Sequence, residues 1–295
     1  MTAAIQAAVL RLATRGSALA RAQAVLAADA IRGVGGPGTE LVIVRTEGDR
    51  NQSTPIEQLE GQGWFTTAIE RALVEGRADV AVHAAKDLPT ELGAGLEVAA
   101  LLPRADPRDA VVCRDGGGLD SLPDGAAVGS SSARRSALLA ELRPGLRCVP
   151  IRGNVDTRLG KLEAGEVDGL LLAAAGLDRL GLSRRIGQHL DPRSFVPAPA
   201  QGAIALEVVS GAPAAAAVIP AGDAATDVAV RTERDLLRAL GGGCLLPLGA
   251  WARFEDGALV LSAALGVDGR VRRAELAGDP ESRGELVARV AAALR

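Results

Sequence analysis

RALVEGRADVAVHAAKDLPT, residues 71–90, contains the change of pattern that decides the fold. Residues 66–75 have the spacing of an amphipathic helix, and the aliphatic run at 80–83 has the length of a buried strand. Lys86 and Asp87 come just past the end of that run. In open α/β sheets, ligands bind at the carboxyl ends of the strands. The stretch therefore predicts a helix, a strand and a candidate site in succession.

Short aliphatic runs alternate with helical stretches on both sides of this segment. Strands are predicted at 9–13, 41–46, 80–83, 97–101, 110–113, 126–129, 147–151 and 169–173, and helices at 18–31, 66–75, 133–142 and 156–163. This alternation is typical of parallel sheets that helices cover on both faces. We therefore predict the α/β class, with two doubly wound lobes.

The pattern changes near the C-terminus. Residues 251–276 alternate as strands joined by turns at 255–257 and 267–269, and residues 281–294 have helical spacing. A stretch rich in alanine, proline and glycine, 210–225, precedes them. We expect a small C-terminal α+β domain beyond it.

The composition argues against several classes of protein. The 295 residues carry a formal net charge of -3, which disfavours a nucleic-acid or anionic-membrane surface. No apolar run approaches the ~20 residues of a membrane span, and we find no signal peptide. Three cysteines without an evident pairing fit a reducing compartment. We expect a soluble cytoplasmic protein that binds neither nucleic acid nor membrane.

The cations have an unusual distribution. Lysine occurs only at Lys86 and Lys161, so the other cations among the 33 are arginines. Genomic base composition accounts for this general bias. It does not account for where the arginines fall.

Two arginines follow three serines in VGSSSARRSALLAEL, residues 128–142. A helix that starts at this point offers an anion site at its N-terminus. Arg134 and Arg135 in its first turn oppose the helix dipole, at a cost of about 0.3 to 1 kcal/mol each. Either an anionic group lies nearby, or the two arginines are a solvated pair that tolerates this cost.

Further arginines follow later strands. Arg152 ends a strand, and Arg158 lies about one turn into the helix that Asn154 caps. Arg179 follows the next strand. Arginine binds carboxylates in bidentate fashion. Several arginines at the carboxyl ends of strands therefore indicate a ligand with several carboxylates.

Asp87 has two interpretations from the local sequence. A carboxylate at the end of a strand can stabilise a cation or move protons. Alternatively, Asp87 is the N-cap of a short helix, since Leu88 and Pro89 follow it.

Two other features do not indicate sites. GVGGPG, residues 33–38, matches the dinucleotide-binding fingerprint, but it follows a helix and leads into a strand, which is the reverse of the order that phosphate binding needs. His83 and His189 lack companion ligands at metal spacing, so we expect no metal site.

One cysteine lies in an unusual setting. Cys113 and Cys148 lie in aliphatic strands and are most simply small core residues. Cys244 follows three glycines in GGGCLLPLGA, residues 241–250, and glycine lets another molecule approach the backbone closely. No histidine lies near it in sequence to act as a base. That leaves covalent attachment as the role of this thiol.

Eight stretches together resemble the porphobilinogen deaminase family. They are RLATRGSALA, RALVEGRADVAVHAAKDLPT, DPRDA, VGSSSARR, IRGNVDTRL, LAAAGLDRLGL, PAPAQGAIALE and RTERDLLRALGGGCLLPLGA. They occur in the family order and cover almost the whole chain. The resemblance implies a transferase, a hydroxymethylbilane synthase. Such an enzyme joins four porphobilinogen units head to tail, releases ammonia and frees the product by hydrolysis.

The resemblance also implies a cofactor and a set of site residues. The family builds on a dipyrromethane primer held by a thioether, and Cys244 matches the cysteine that holds it. Loss of ammonia from porphobilinogen gives a cationic azafulvene, which an ionised Asp87 is expected to stabilise. The residues implied for the cofactor are Lys86, Asp87, Ser132, Arg134 and Arg135, and those for the substrate are Arg15, Ser17, Arg152, Arg158, Arg179 and Gln201.

The resemblance further implies a monomer with two lobes like those of periplasmic binding proteins. Lobe 1 is expected to comprise residues 1–102 and 197–220, and lobe 2 residues 103–196. The C-terminal domain that carries Cys244 is expected at 221–295.

One stretch and one single residue depart from the family pattern. PIEQLEGQGWF, residues 55–65, has Gln58, Glu60 and Gln62 where lysines or a glycine are common. Ala84 replaces a usual serine. Both departures are expected to affect substrate handling rather than chemistry.

One alternative belongs to a different class. A non-catalytic solute-binding protein on the same two-lobe fold would bind a polycarboxylate. It would be expected to carry a signal peptide or a DNA-binding segment, neither of which we find, and it would have no need of Cys244.

Overall fold

A computed structural model describes residues 9–45, 66–243 and 246–295. The strands are β1 (Leu10–Arg15), β2 (Thr39–Val44), β3 (Val80–Ala84), β4 (Leu96–Leu101), β5 (Asp109–Cys113), β6 (Ala127–Gly129), β7 (Arg147–Val149), β8 (Gly169–Ala173), β9 (Gln188–His189), β10 (Ile204–Val209), β11 (Leu248–Glu255), β12 (Ala258–Val267) and β13 (Arg270–Gly278). The α-helices are α1 (Ala18–Gly33), α2 (Thr67–Val74), α3 (Ala133–Leu142), α4 (Val155–Glu163), α5 (Ala174–Arg179), α6 (Pro213–Val218), α7 (Ala224–Ala239) and α8 (Arg283–Leu294).

The first sheet has the order β2-β1-β3-β10-β4. Strands β1, β2 and β3 run parallel, whereas β10 pairs antiparallel with both β3 and β4. One face packs on α1 and α6, and the other packs on α2. The prediction that helices cover both faces is confirmed.

The second sheet has the order β7-β6-β8-β5-β9 and repeats this arrangement. Strands β6, β7 and β8 are parallel, whereas β5 is antiparallel to β8 and β9. Helix α3 packs on one face, and α4 and α5 pack on the other. The chain passes from the first sheet to the second between β4 and β5, and it returns between β9 and β10.

The C-terminal strands form a separate antiparallel sheet, β11-β12-β13. Helices α7 and α8 contribute to its core, with Leu236 and Val290 fully buried. The small α+β domain predicted from the sequence is confirmed. No helix in the described ranges is long and apolar enough to span a membrane.

Two sequence-based expectations need correction. The sheets are mixed rather than purely parallel, because β5 and β10 each enter their sheet in the opposite direction. No helix was predicted at the position of α7, which begins at Ala224, within the stretch 210–225 that is rich in alanine, proline and glycine. Asp223 is its N-cap, and the Asp223 side chain accepts a hydrogen bond from the backbone N–H of Thr226.

Candidate active site

A cleft lies between the two large sheets, at the carboxyl ends of β1, β3 and β8. Two adjoining cavities occupy it, and both are lined by Arg15, Ser17, Lys86 and Asp87. Residues of both sheets thus share one site, as expected for ligands at the ends of strands. The first cavity adds His83 and Arg179 to its wall, and the second adds Arg135, Arg152 and Arg158.

The first strand and helix place two of these residues. Arg15 is the last residue of β1, and Ser17 is the N-cap of α1. The Ser17 hydroxyl oxygen accepts a hydrogen bond from the backbone N–H of Ala20 at 3.2 Å. This bond satisfies one N-terminal donor of the helix and fixes the turn that faces the cleft.

Asp87 ends a 3₁₀ turn, Ala85–Asp87, that directly follows β3. Its side chain is exposed on the wall of both cavities. No helix starts at Asp87, because the residues after it form an irregular segment up to β4. The N-cap interpretation of Asp87 is therefore wrong.

Lys86 lies beside Asp87, and its Nζ donates a hydrogen bond to Oε1 of Gln201 at 3.1 Å. Burial lowers the pKa of Lys86 to about 8, and repulsion from Arg135 adds to this effect. Attraction to Asp87 opposes it. The ammonium group is thus held in a cleft that already carries excess positive charge.

Two arginines of the second lobe each donate a hydrogen bond to a backbone carbonyl. Arg158 Nε donates to the carbonyl oxygen of Gly153 at 2.8 Å, and Arg179 Nη2 donates to that of Gly202 at 2.6 Å. Burial lowers the pKa of both, to about 10 for Arg158, where repulsion from Arg135 and Arg152 contributes.

Arg134 and Arg135 bind one buried carboxylate, that of Asp109 on β5. Arg134 Nη1 donates to Oδ2 at 2.7 Å and also to the carbonyl oxygen of Val196. Arg135 donates to Oδ1 through Nε at 2.9 Å and Nη2 at 2.6 Å. The interpretation as a solvated pair is wrong, because both arginines are buried. The anionic group that their position indicated is part of the protein itself.

Some residues expected to contact ligand do not line either cavity. Arg134 is among them, and so is Ser132, the N-cap of α3. Gln201 is fully buried and connects the network behind the cleft. Its Oε1 accepts from Lys86, and its Nε2 donates to Oδ1 of Asp109 at 3.2 Å. These residues support the cavity walls from behind.

Sequence reasoning missed two buried carboxylates beside the cleft. Asp109 begins an otherwise aliphatic strand, DAVVC, and such a charge at the start of a buried strand is the signal that could have identified it. Glu207 lies on β10, and its Oε2 is 3.0 Å from Nε2 of His83, which lines the first cavity. Among the described residues, no group of His, Cys, Asp or Glu could hold a metal ion.

Two sequence-based predictions concern residues outside the described ranges. Cys244, the expected attachment point, is one, and the stretch with Gln58, Glu60 and Gln62 is the other. Of the remaining cysteines, Cys113 is buried, and burial raises its thiol pKa to about 11. An inert core thiol fits the expectation for Cys113.

Comparison with known families adds evidence of another kind. Residues 10–217 match the family model described as porphobilinogen deaminase, dipyromethane cofactor binding domain, and residues 228–295 match its C-terminal domain. The chain belongs to the porphobilinogen deaminase family. The first match covers both large sheets and therefore the whole described cleft.

Individual porphobilinogen deaminases are similar over almost their full length. The enzyme from Bordetella parapertussis is 45% identical over 287 residues, covering 96% of this chain and 91% of its own. The enzyme from Nocardia farcinica is 46% identical over 289 residues, covering 94% and 83%. That from Syntrophobacter fumaroxidans is 43% identical over 277 residues, covering 92% and 89%. These matches favour a porphobilinogen deaminase, a transferase of tetrapyrrole biosynthesis, over the solute-binding alternative.

Among solved structures, immunogenic lipoprotein A from Vibrio vulnificus aligns with 72% of this chain and 94% of its own. The TM-score is 0.44, and the sequences are 12% identical.

Proposed function

We propose that porphobilinogen units are joined in the described cleft, with Asp87 as the catalytic carboxylate and Cys244 as the thioether anchor of the dipyrromethane cofactor. The observation that carries this proposal is electrostatic. Cations from both lobes line the cavities, and repulsion from Arg135 adds to burial in lowering the pKa of Lys86 and that of Arg158. A ligand with several carboxylates would relieve that repulsion.

The described residues fit such a cofactor. Each pyrrole of the growing chain carries an acetate and a propionate, so the anionic charge rises with every addition. Arg158 places a guanidinium group on the wall of one cavity, and Arg179 places one on the wall of the other. When bound, the cofactor supplies the free pyrrole carbon to which substrate is added.

Asp87 supports the chemistry in two ways. Its ionised carboxylate, exposed on the wall that both cavities share, stabilises the positive charge that develops when ammonia leaves the substrate. An Oδ atom of Asp87 can then hold the proton that the attacked ring releases. Lys86 and the arginines bind carboxylates and so fix where the reacting groups lie relative to that oxygen.

The domain bounds, the cellular compartment and the oligomeric state are proposals of the same kind. We infer that residues 1–102 with 197–220 form one lobe, that 103–196 form the second, and that 221–295 form the C-terminal domain. The membership of β10 in the first sheet supports the return of the chain to the first lobe. We also infer that the protein is a cytoplasmic monomer, and its three cysteines without an evident pairing fit a reducing compartment.

Intact-mass spectrometry of the purified protein tests the proposal. The wild-type chain should carry an adduct of two pyrrole units and convert porphobilinogen to hydroxymethylbilane. Cys244→Ser should give folded protein without the adduct or the activity, whereas Cys148→Ser should keep both. An adduct of normal mass on the Cys244→Ser variant would contradict the assignment of the anchor. A wild-type chain without adduct or turnover would favour a binding protein.

A pH titration tests the role of Lys86. Since its pKa is lowered to about 8, the ammonium group loses its proton, and its ability to bind carboxylate, as the pH rises through 8. We expect the affinity of cofactor-free Cys244→Ser protein for porphobilinogen to fall by up to about tenfold between pH 7 and pH 9. Calorimetric titration at each pH measures this affinity. Adding Lys86→Arg to this protein should remove the decline, because a guanidinium stays charged. Identical pH profiles with lysine and with arginine at position 86 would refute the proposed role of Lys86.

A further inference from the structure

Helix α7 holds the backbone that follows Asp87. Arg234 Nη2 donates a hydrogen bond to the carbonyl oxygen of Pro89 at 2.6 Å, and Nη1 donates to that of Leu88 at 3.3 Å. The next turn of the helix continues the contact, because Arg238 Nη2 donates to the carbonyl oxygen of Thr90 at 3.0 Å. Three successive carbonyls of this segment are therefore bound by one helix.

The same helix supports this segment with an apolar contact. Leu88 is buried in a cluster that includes Val230 of α7. Pro89 has no N–H to donate, and the N–H of Leu88 makes only a long bond, 3.4 Å, to the carbonyl oxygen of Ala85. The segment consequently depends on α7 for much of its support.

Helix α7 is itself held firmly. Glu233, the neighbour of Arg234, accepts hydrogen bonds from Arg104 at 2.6 Å, from the N–H of Ala200 at 2.6 Å and from the N–H of Ala252 at 2.7 Å. These three donors lie outside α7, so the buried carboxylate of Glu233 ties the helix to its surroundings. Because the helix is held in place, the guanidinium of Arg234 can in turn hold the segment after Asp87 in place.

The C-terminal end of α7 is equally well defined. Gly241 adopts a φ of 75°, and the N–H of Gly242 donates to the carbonyl oxygen of Leu237 at 2.8 Å, which closes the helix in a Schellman motif. A Cβ at position 242 would lie 2.3 Å from that oxygen, so the turn requires glycine there. Cys244 follows two residues later in the sequence. One helix thus binds the segment after Asp87 and leads directly to the expected anchor.

We propose that Arg234 is a positioning residue that fixes the carboxylate of Asp87 relative to the substrate. The inference rests on the proposed role of Asp87. The Asp87 side chain is exposed and accepts no hydrogen bond from the described residues, so its place is set by the backbone that carries it. Loss of the two bonds from Arg234 would let that backbone relax, and a small displacement of a catalytic group slows the reaction more than it weakens binding.

Three variants of the cofactor-loaded enzyme test this inference. Arg234→Met keeps the length of the side chain and removes every donor, whereas Arg234→Lys keeps the charge but cannot bind two carbonyls as a fork. Arg231→Met is the matched control, since Arg231 lies on the same helix, is exposed and pairs only with Asp227 among the described residues. Intact mass confirms that each variant carries its cofactor before kinetics are measured.

We expect Arg234→Met to lower kcat by about tenfold or more while KM changes by less than about threefold. The kcat of Arg234→Lys should lie between those of Arg234→Met and the wild type, and the kcat of Arg231→Met should stay within about twofold of the wild-type value. If Arg234→Met fails to fold, Arg234→Lys decides alone, with an expected loss in kcat of at least about threefold. A kcat equal to wild type in a folded Arg234 variant would overturn the inference.

A double-mutant cycle separates positioning from a general structural role. If Arg234 acts through Asp87, then Arg234→Met should slow the Asp87→Asn enzyme no further. If the double variant instead loses kcat by the product of the two single losses, the inference is overturned. Near-normal turnover of Asp87→Asn alone would instead refute the proposed role of Asp87. A large loss in that variant, combined with normal turnover of Arg234→Met, would overturn only the positioning role of Arg234.

Discussion

Replacing Asp87 by asparagine should lower kcat at least about a hundredfold, which corresponds to ~2.7 kcal/mol of activation free energy. Asp87 interacts electrostatically with Lys86 and Arg158 and partly offsets the lowering of their pKa values by burial, so its charge acts across the cleft between the lobes. Asparagine keeps the size and polarity of the side chain. It can neither neutralise a developing cation nor accept a proton at neutral pH.

The measurement is steady-state turnover of porphobilinogen by enzyme whose cofactor has been verified by mass. KM should change much less than kcat, because the cationic side chains that we propose bind carboxylates are untouched. Glu91→Gln is a suitable control, since it removes the same charge from an exposed site four residues further along the same segment. Turnover within about threefold of wild type in Asp87→Asn would mean that another group moves the proton.

The sequence alone predicted much of the fold because aliphatic runs and helical spacing are local signals. Helix α3 and strand β8 begin and end at the predicted residues. Strand direction is not a local property. The run that forms β10 looks the same in either orientation, and its antiparallel pairing with β3 depends on how the chain returns from the second sheet.

Part of the candidate site could be predicted because it also depends on local signals. Residues at the carboxyl ends of strands, such as Lys86 and Asp87, could be expected to meet at one edge of a sheet. The partner of Arg134 and Arg135 could not be expected in this way. Local sequence indicated an anion but not which one, because Asp109 reaches the two arginines only through the order of strands in the second sheet.

This internal ion cluster leads to the largest expected change in stability. Asp109→Ala should lower the free energy of unfolding by about 3 to 5 kcal/mol, since it leaves two buried guanidinium groups without their carboxylate. Arg134 and Arg135 each donate to Asp109, and both side chains are almost fully buried. Gln201 Nε2 would lose a bond to the same carboxylate.

Urea unfolding followed by circular dichroism measures this effect, with Asp106→Ala as the control. Asp106 pairs with the more exposed Arg108, so its removal should cost no more than about 1 kcal/mol.

The two cations hold the pKa of Asp109 far below its usual range, despite its burial. The stabilisation is therefore present above the unfolded-state pKa of about 3.9 and is lost as the pH falls below it. The difference in stability between wild type and Asp109→Ala should accordingly shrink on acidification, and a constant difference between pH 7 and pH 3 would show that the cost of the substitution is a packing defect rather than a lost charge.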